Sequence, residues 1–195
     1  MADIIKLGLF LMLVAAVAGL GVGYVNTVAS PLIEKQILKE KIDSFKEVYP
    51  AANKVENESV TYLKKDADPG LKEVNIAYKN SEPAGVLYLV QSKGYSGLIT
   101  ILAGFDIATQ KITAIKILSQ SETPGLGAKA KEPKFQNRYR DKNTLAALEI
   151  VKTEPAKENQ IQAITASTIT SKAVTKGINL AREHFVRTFV AGKKN

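Results

Sequence analysis

A run of small hydroxyl residues is the most chemically unusual stretch of this sequence. Five hydroxyls fall within seven positions, just before apolar residues that recur at helical spacing: Thr165, Ser167, Thr168, Thr170 and Ser171. One hydroxyl is enough to cap a helix, because a single oxygen accepts one of the free N–H groups of the first turn. The others stand where those N–H groups and the helix dipole would stabilise a phosphate. The pattern favours an anion site at a helix start, with a plain helix cap as the alternative.

A glycine-rich stretch, ETPGLG at residues 122–127, follows a strand-like run. Its Pro-Gly pair predicts a type II turn, because proline presets the first φ and glycine accepts the positive second φ. The alternative interpretation is that bare glycine backbone admits a flat ligand, with Glu122 and Thr123 offering hydrogen bonds. The stretch matches neither the GxxxxGK[ST] phosphate loop nor the GxGxxG fingerprint, so these motifs support no nucleotide site.

A third stretch, SKGYSGLIT, places Tyr95 and Ser96 between Gly94 and Gly97. A loop between two strands explains this composition. A tyrosine beside glycines can instead line a ligand pocket.

Composition excludes several kinds of catalytic site. The sequence has no cysteine and a single histidine, His184, so thiolate chemistry, Ser/His pairs and multi-histidine metal sites are excluded. We therefore expect no catalytic residue and no metal ligand of the chain's own. The net charge of +8 does not predict nucleic-acid binding, because the lysines alternate with acidic residues and form no basic stripe with aromatics.

Three segments organise the chain and position these stretches. Residues 1–30 are expected to form a short amino-terminal stub and a transmembrane helix, because about 20 apolar residues cross a hydrocarbon core. A cleaved signal peptide is the alternative. Residues 31–50 predict an amphipathic connecting helix, with Ile42, Phe45 and Val48 at helical spacing and Pro50 after it. Residues 51–195 are expected to form the folded domain.

The domain is predicted to be α+β, with a largely antiparallel sheet flanked by helices. Apolar residues at helical spacing from Ser171 onward predict a long carboxy-terminal helix, and the segment FDIATQK reads as a hairpin connection. Four strand-like runs supply the sheet: KEVNIAYK, GVLYLVQ, LITILAGF and KITAIKIL.

Taken in order, the short amino-terminal span, GYSG, ETPGLG and TASTITS resemble a known family. It is the covalent-FMN domain shared by the G subunit of the Rnf electron-transport complex and the C subunit of the sodium-pumping NADH:quinone reductase. The likeness covers nearly the whole chain, and its compact length is more similar to the Rnf protein. The family's motif usually reads Ser or Thr, Gly or Ala, Ala or Ser, then Thr. Here those positions are Thr165, Ala166, Ser167 and Thr168.

This resemblance implies that FMN is joined through its phosphate to the hydroxyl of Thr168. An ApbE-type flavin transferase that uses FAD and magnesium would make the phosphoester. The chain would then be an electron carrier of a membrane-bound, ion-translocating ferredoxin:NAD⁺ oxidoreductase, and it would not be a complete enzyme by itself. The predicted cofactor-binding residues, besides Thr168, are Thr165, Ala166, Ser167, Thr170, Ser171, Glu122, Thr123, Pro124, Gly125, Leu126, Gly127, Tyr95 and Ser96.

The resemblance also predicts the surroundings of the chain. Its partners would be the other membrane and iron-sulfur subunits of the Rnf complex, the transferase and membrane lipid. The domain would lie outside the cytoplasm, anchored in the cell membrane by one span, although the lysines after the span favour the opposite orientation. Two alternatives stay open: a component like the C subunit of the NADH:quinone reductase, and a tethered anion-binding module without redox chemistry.

Overall fold

The computed structural model describes residues 2–63, 68–155 and 157–191. The chain divides into two compact units, one ending at Asp43 and the other beginning at Ser44. The last residues of the predicted domain, 192–195, lie outside the described part.

Helix α1 runs from Ala2 to Val48 and continues through Pro31. The segment Asp3–Pro31 is long and apolar enough to cross a membrane, and none of its side chains is buried within the protein. One continuous helix thus covers both helical segments expected before residue 50. Its last turn belongs to the second unit, where Val48 and the following Tyr49 are buried.

The second unit is built on a five-stranded antiparallel sheet whose strands lie in chain order. The four strands predicted from the sequence are confirmed, and a short first strand is added. The strands are β1 (Lys54–Asn57), β2 (Leu71–Lys79), β3 (Glu82–Lys93), β4 (Leu98–Asp106) and β5 (Ile112–Ser119). The predicted hairpin connection between β4 and β5 is also present.

Helices and short strands complete the unit. Helix α4 (Thr168–Phe185) begins three residues earlier than its apolar periodicity indicates, and a π-helical turn (Val186–Val190) follows it. Two three-residue strands pair in parallel, which the sequence did not predict. The remaining elements are α2 (Ser59–Tyr62), a 3₁₀ turn (Gly127–Lys131), α3 (Pro133–Gln136), a second 3₁₀ turn (Asn137–Tyr139), β6 (Glu149–Val151) and β7 (Gln160–Gln162).

The two faces of the sheet bury different partners, because successive strand residues point to opposite sides. On one face α4 packs across β3 and β4, and its Val174 and Ile178 join Tyr88 in the main core. On the other face Leu87 packs with Val48. The rigid sheet therefore fixes the first turn of α4 next to the loops at the Lys93 end of β3.

Candidate functional site

The first turn of α4 contains the predicted acceptor residue. Thr168 is the first residue of the helix and Ser167 is its N-cap, but no side chain caps the helix by hydrogen bonding. Thr168 itself is half-buried. The predicted hydroxyl-rich stretch therefore straddles the helix start, and its later members lie inside the first turn.

The hydroxyls of this stretch have different partners. Ser171 Oγ donates to the carbonyl oxygen of Ser167 at 2.9 Å and accepts the amide of Ile164 at 2.9 Å, which closes the turn before the helix. Thr170 Oγ1 donates to Glu122 Oε2. Ser167 Oγ is buried and has no hydrogen-bond partner among the described residues. Two hydroxyls thus organise the turn, whereas one is left with an unmet hydrogen-bonding capacity.

Ala166 adopts a left-handed backbone conformation, with a φ of 61°. A side chain raises the energy of this conformation, so glycine is favoured there. The amide of Ser167 donates to the carbonyl oxygen of Ile164 at 2.9 Å, which makes the turn tight. The positive φ gives a physical reason why the motif that this stretch resembles admits glycine at this position.

The ETPGLG stretch forms the predicted type II turn. Gly125 has a φ of 76°, and the amide of Leu126 donates to the carbonyl oxygen of Thr123 at 3.1 Å. The same carbonyl accepts the amide of Ala128 at 3.2 Å, so the turn leads directly into the following 3₁₀ turn. Pro124 and Gly125 are exposed at its tip.

Glu122 is a buried carboxylate with partners from two other segments. Only 5% of its surface is exposed. Its Oε1 accepts the amide of Ser96 at 2.9 Å, and its Oε2 accepts the hydroxyl of Thr170. The glycine-containing loop after β3, the ETPGLG turn and the first turn of α4 therefore meet at one side chain.

These three segments line an open cavity of about 570 Å³. Nine of the fourteen predicted site residues line it, together with Ile169, which the sequence analysis missed. The lining residues are Tyr95, Glu122, Thr123, Leu126, Gly127, Ala166, Ser167, Thr168, Ile169 and Thr170. Ile169 could have been noticed as an apolar residue off the core-facing stripe of α4.

Five predicted residues lie outside this lining. Thr165 lines a neighbouring groove of about 170 Å³ that also contains Lys129, Lys134 and Arg138. Ser171 is turned into the protein by its two hydrogen bonds. Ser96 reaches the site through its backbone amide, and Pro124 and Gly125 shape the turn.

The cavity combines an anion-binding end with an apolar wall. At the start of α4, free N–H groups and the helix dipole favour negative charge, and Ser167 Oγ can serve an additional acceptor. Tyr95, Leu126 and Ile169 supply apolar surface that is 70%, 43% and 57% exposed. The volume lies in the usual range for small-molecule sites, roughly 300 to 1,000 Å³. The residues present therefore fit FMN, which has a phosphate at one end and a flat aromatic ring at the other.

His184 and Tyr88, two groups with shifted pKa values, are buried in the core away from this cavity. Burial lowers the pKa of His184, whose Nδ1 is 2.9 Å from Tyr88 Oη and whose Nε2 is 3.1 Å from the Tyr62 carbonyl oxygen. Burial likewise raises the pKa of Tyr88 well above its ordinary value. Among the described residues, no group of three or more His, Cys, Asp or Glu could hold a metal ion. The contacts of His184 with Tyr88 and Tyr62 are hydrogen bonds within the core.

Comparison with known proteins identifies the family. Residues 94–183, which span the cavity wall from the Gly94 loop into α4, match the family model described as FMN-binding domain. The chain is 36% identical over 189 residues to the G subunit of the Na⁺-translocating ferredoxin:NAD⁺ oxidoreductase complex of Acetobacterium woodii. That alignment covers 91% of this chain and 89% of the relative. The chain belongs to this G-subunit family.

Two other members of the G-subunit family also match this chain. The G subunit of the proton-translocating ferredoxin:NAD⁺ oxidoreductase complex of Clostridium ljungdahlii is 39% identical over 144 residues, with 71% of this chain and 76% of that protein covered. Its counterpart in the ion-translocating oxidoreductase complex of Methanosarcina acetivorans is 28% identical over 187 residues, covering 93% and 94%. The family resemblance drawn from ETPGLG and TASTITS is thereby confirmed.

Solved structures share the fold of this G-subunit homologue. The C subunit of the Na⁺-translocating NADH-quinone reductase from Parabacteroides distasonis superposes with a TM-score of 0.53 at 24% identity, covering 60% of this chain and 62% of that one. The corresponding protein of Shewanella oneidensis superposes with a TM-score of 0.53 at 18% identity, with 63% and 61% covered. At these identities the likeness supports the α+β fold, which agrees with the sequence prediction.

Proposed function

We propose that this chain is the electron-carrier subunit of a membrane-bound, ion-translocating ferredoxin:NAD⁺ oxidoreductase and carries FMN esterified to Thr168. The names of the relatives support membership of this complex, and the match to the FMN-binding domain supports FMN as the cofactor. The observation that supports the site best is the buried, unpartnered Ser167 hydroxyl beside Thr168 at the start of an 18-residue helix. A buried polar group without a partner costs free energy, so a phosphate oxygen at this place would relieve that cost.

The phosphate end of the site uses the first turn of α4. Its N–H groups have no partner within the helix, its residues line the cavity, and the helix dipole adds a partial positive charge at this end. The hydroxyl of Ser167 would donate to the phosphate from the N-cap position. The Ser171 hydrogen bonds hold the preceding turn in place, so these donors are arranged before any ligand arrives.

The ring end of the site uses Tyr95, Leu126 and Ile169. These side chains are apolar and well exposed, and covering them with a flat ring would remove apolar surface from water. The isoalloxazine supplies the redox chemistry, whereas the protein positions it and sets its dielectric surroundings. Because the rim is exposed, an electron donor or acceptor could approach the ring closely.

Attachment requires a reachable acceptor, and Thr168 is half-buried at the cavity rim. In the proposed transfer, the Thr168 oxygen bonds to the FMN phosphorus of FAD while the pyrophosphate bond breaks and AMP leaves with the bridging oxygen. The hydroxyl proton passes to a base of the transferase, which is of the ApbE type and uses magnesium. The step replaces a phosphoanhydride linkage with a phosphate ester, and it requires no oxidant.

We further propose that the span Asp3–Pro31 anchors the chain in the cell membrane with the domain outside the cytoplasm. A noncovalent cofactor stays bound only by mass action with its free pool, and outside the cell that pool is dilute. A covalent bond removes this dependence. Its partners there would be lipid and the other membrane and iron-sulfur subunits of the complex.

The experiment that tests the attachment site is Thr168→Val, coexpressed with a flavin transferase. Valine keeps the size of the side chain and removes the nucleophilic oxygen, so we expect a folded protein without attached flavin. The measurement is flavin fluorescence of the band after denaturing electrophoresis. Thr153→Val, at an exposed position outside the cavity lining, is the matched control and should fluoresce like the wild type.

A fluorescent Thr168→Val band would show that another residue carries the flavin. A wild-type band without fluorescence, together with a colourless native protein, would instead support a tethered anion-binding module.

A further inference from the structure

The buried carboxylate of Glu122 makes its hydrogen bonds within the protein. This geometry suits a role in positioning other segments better than direct contact with the flavin. A carboxylate removed from water must be hydrogen-bonded to remain charged without a large cost. Here one oxygen accepts the Ser96 amide at 2.9 Å and the other accepts the Thr170 hydroxyl. Each oxygen is therefore engaged by a segment of the chain that forms the cavity wall.

Two glycines allow this carboxylate to reach its partners. A Cβ at Gly94 would lie 2.6 Å from Glu122 Oε1, and a Cβ at Gly127 would lie 2.7 Å from Glu122 Oε2 and 2.6 Å from Thr170 Oγ1. Such distances are well below van der Waals contact, so larger residues at either position would displace the side chain. The two glycines thus leave room for the Glu122 side chain on both sides.

We propose that Glu122 is a positioning residue. It fixes the Thr168 hydroxyl and the loop between β3 and β4, here called the Tyr95 loop, relative to each other before FMN is attached. The carboxylate holds the first turn of α4 through Thr170, two residues after Thr168, and holds the Tyr95 loop through the Ser96 amide. Its role depends on hydrogen-bond acceptance and shape, and it neither takes the Thr168 proton nor contacts the phosphate. This inference deepens the proposed function, because it takes Thr168 as the acceptor.

The choice of substitution separates positioning from a role that needs charge. In Glu122→Gln the amide oxygen can still accept the Ser96 N–H, and the amide nitrogen can donate to the Thr170 oxygen, whose hydroxyl rotates freely. Glu122→Ala removes both hydrogen bonds. Thr170→Val removes one and keeps its size. Glu132→Gln, which alters an exposed acid ten residues away, is the matched control.

The first measurement is amide hydrogen exchange on the full-length protein, purified from cells without a flavin transferase. We expect Glu122→Ala to speed exchange of the peptide containing Ser96 roughly tenfold or more, because the Ser96 amide loses its hydrogen-bond acceptor. Thr170→Val should speed exchange in the first turn of α4 and leave the Ser96 peptide unchanged. Glu122→Gln should remain within about threefold of the wild type at both places. Unchanged exchange in Glu122→Ala would overturn the proposal.

The second measurement is the rate of flavin attachment by a purified transferase. A displaced acceptor lowers kcat more than it raises KM, so Glu122→Ala should lose roughly tenfold or more in kcat, with Glu122→Gln within about threefold. If Gln loses as much as Ala, the charge itself is required and the positioning role is wrong.

Thr170→Val carries the test if Glu122→Ala does not fold. It should lower kcat severalfold, and a wild-type kcat in this variant would also overturn the proposal. The exchange measurement involves no flavin, so a wild type that accepts no flavin would contradict the proposed function without deciding the role of Glu122.

Discussion

Two carboxylates lie toward opposite ends of β4, a strand of nine residues, and they have different surroundings. Asp106, at the carboxyl end, accepts Tyr49 Oη at 2.6 Å, the Thr109 amide at 2.7 Å and Thr109 Oγ1 at 2.8 Å. Glu122, beside the loop that precedes β4, accepts from Ser96 and Thr170. Both carboxylates join segments that are distant in sequence.

The surroundings of the two carboxylates differ. At the Asp106 end the segment after α1 is packed tightly, and Thr113 Oγ1 also donates to the Val48 carbonyl oxygen at 2.8 Å. At the Glu122 end the chain borders an open cavity and leaves the Ser167 hydroxyl unpaired. The same kind of hydrogen bonding joins distant segments of the fold at the Asp106 end and, in our proposal, arranges a ligand site at the Glu122 end.

The largest expected difference in flavin attachment is between two glycine-to-alanine variants, one at the Asp106 end and one at the Glu122 end. In Gly85→Ala the new Cβ would overlap the ring of Tyr49, which is rigid and buried. We expect a loss of about 2 to 3 kcal/mol and a fall in Tm of roughly 6 °C or more, with flavin attachment at the wild-type rate.

Gly127→Ala should differ from Gly85→Ala in its effect on flavin attachment. Its Cβ would lie 2.6 Å from Thr170 Oγ1, 2.7 Å from Glu122 Oε2 and 2.8 Å from Glu122 Cβ, so we expect a stability loss of about 1 to 3 kcal/mol and an attachment rate that falls severalfold. Thermal unfolding and a timed attachment assay, performed on both variants, give the comparison. Equal effects of the two substitutions on attachment would show that the ends are not functionally distinct.

A smaller effect is expected from Tyr49→Phe, which removes one donor to Asp106. Partial burial alone would raise the pKa of Asp106, but the hydrogen bonds from Tyr49 and Thr109 outweigh it and lower the pKa below its ordinary value. A lowered folded-state pKa contributes stability above the unfolded value of about 3.9, and this stability is lost as pH falls through the folded value. We expect a Tm about 3 °C lower at pH 7.

The pH dependence of this Tm difference tests whether the lost hydrogen bond to Asp106 causes it. Between about pH 4 and 2, the Tm difference between wild type and Tyr49→Phe should narrow as Asp106 becomes protonated in both. A difference that stays constant across this range would assign the effect to lost packing.

The smallest effect is expected at Ala166. Glycine relieves the left-handed strain there but increases the entropy of the unfolded chain, so Ala166→Gly should stabilise by roughly 0.5 kcal/mol. Its Tm should rise by about 1 to 2 °C. A lower Tm would show that the positive φ of Ala166 is not strained.

The sequence predicts the fold well where apolar runs are long. The strands containing Val74, Leu87 and Ile101 follow from such runs, and α4 follows from its periodicity. By contrast, β1, β6 and β7 have only three or four residues, and their pairing depends on tertiary neighbours. Patterns of residues cannot register strands that carry so little apolar surface.

The candidate site is predictable in composition but not in contacts. The Pro124-Gly125 turn follows directly from local backbone preferences. Local preferences do not show which hydroxyl faces the cavity, because this depends on α4 beginning at Thr168 and turning Ser171 inward. The pairing of Glu122 with Ser96 joins residues 26 positions apart, and only the folded sheet brings them together.

The central claim is that Thr168 carries FMN through its phosphate, and intact-mass measurement of the native protein, followed by peptide mapping, tests it most directly. We predict a mass larger than that of the polypeptide by one esterified FMN, with the addition located on Thr168 in the peptide spanning the start of α4. A native protein whose mass equals that of its amino acids alone, or an adduct on another residue, would contradict the account.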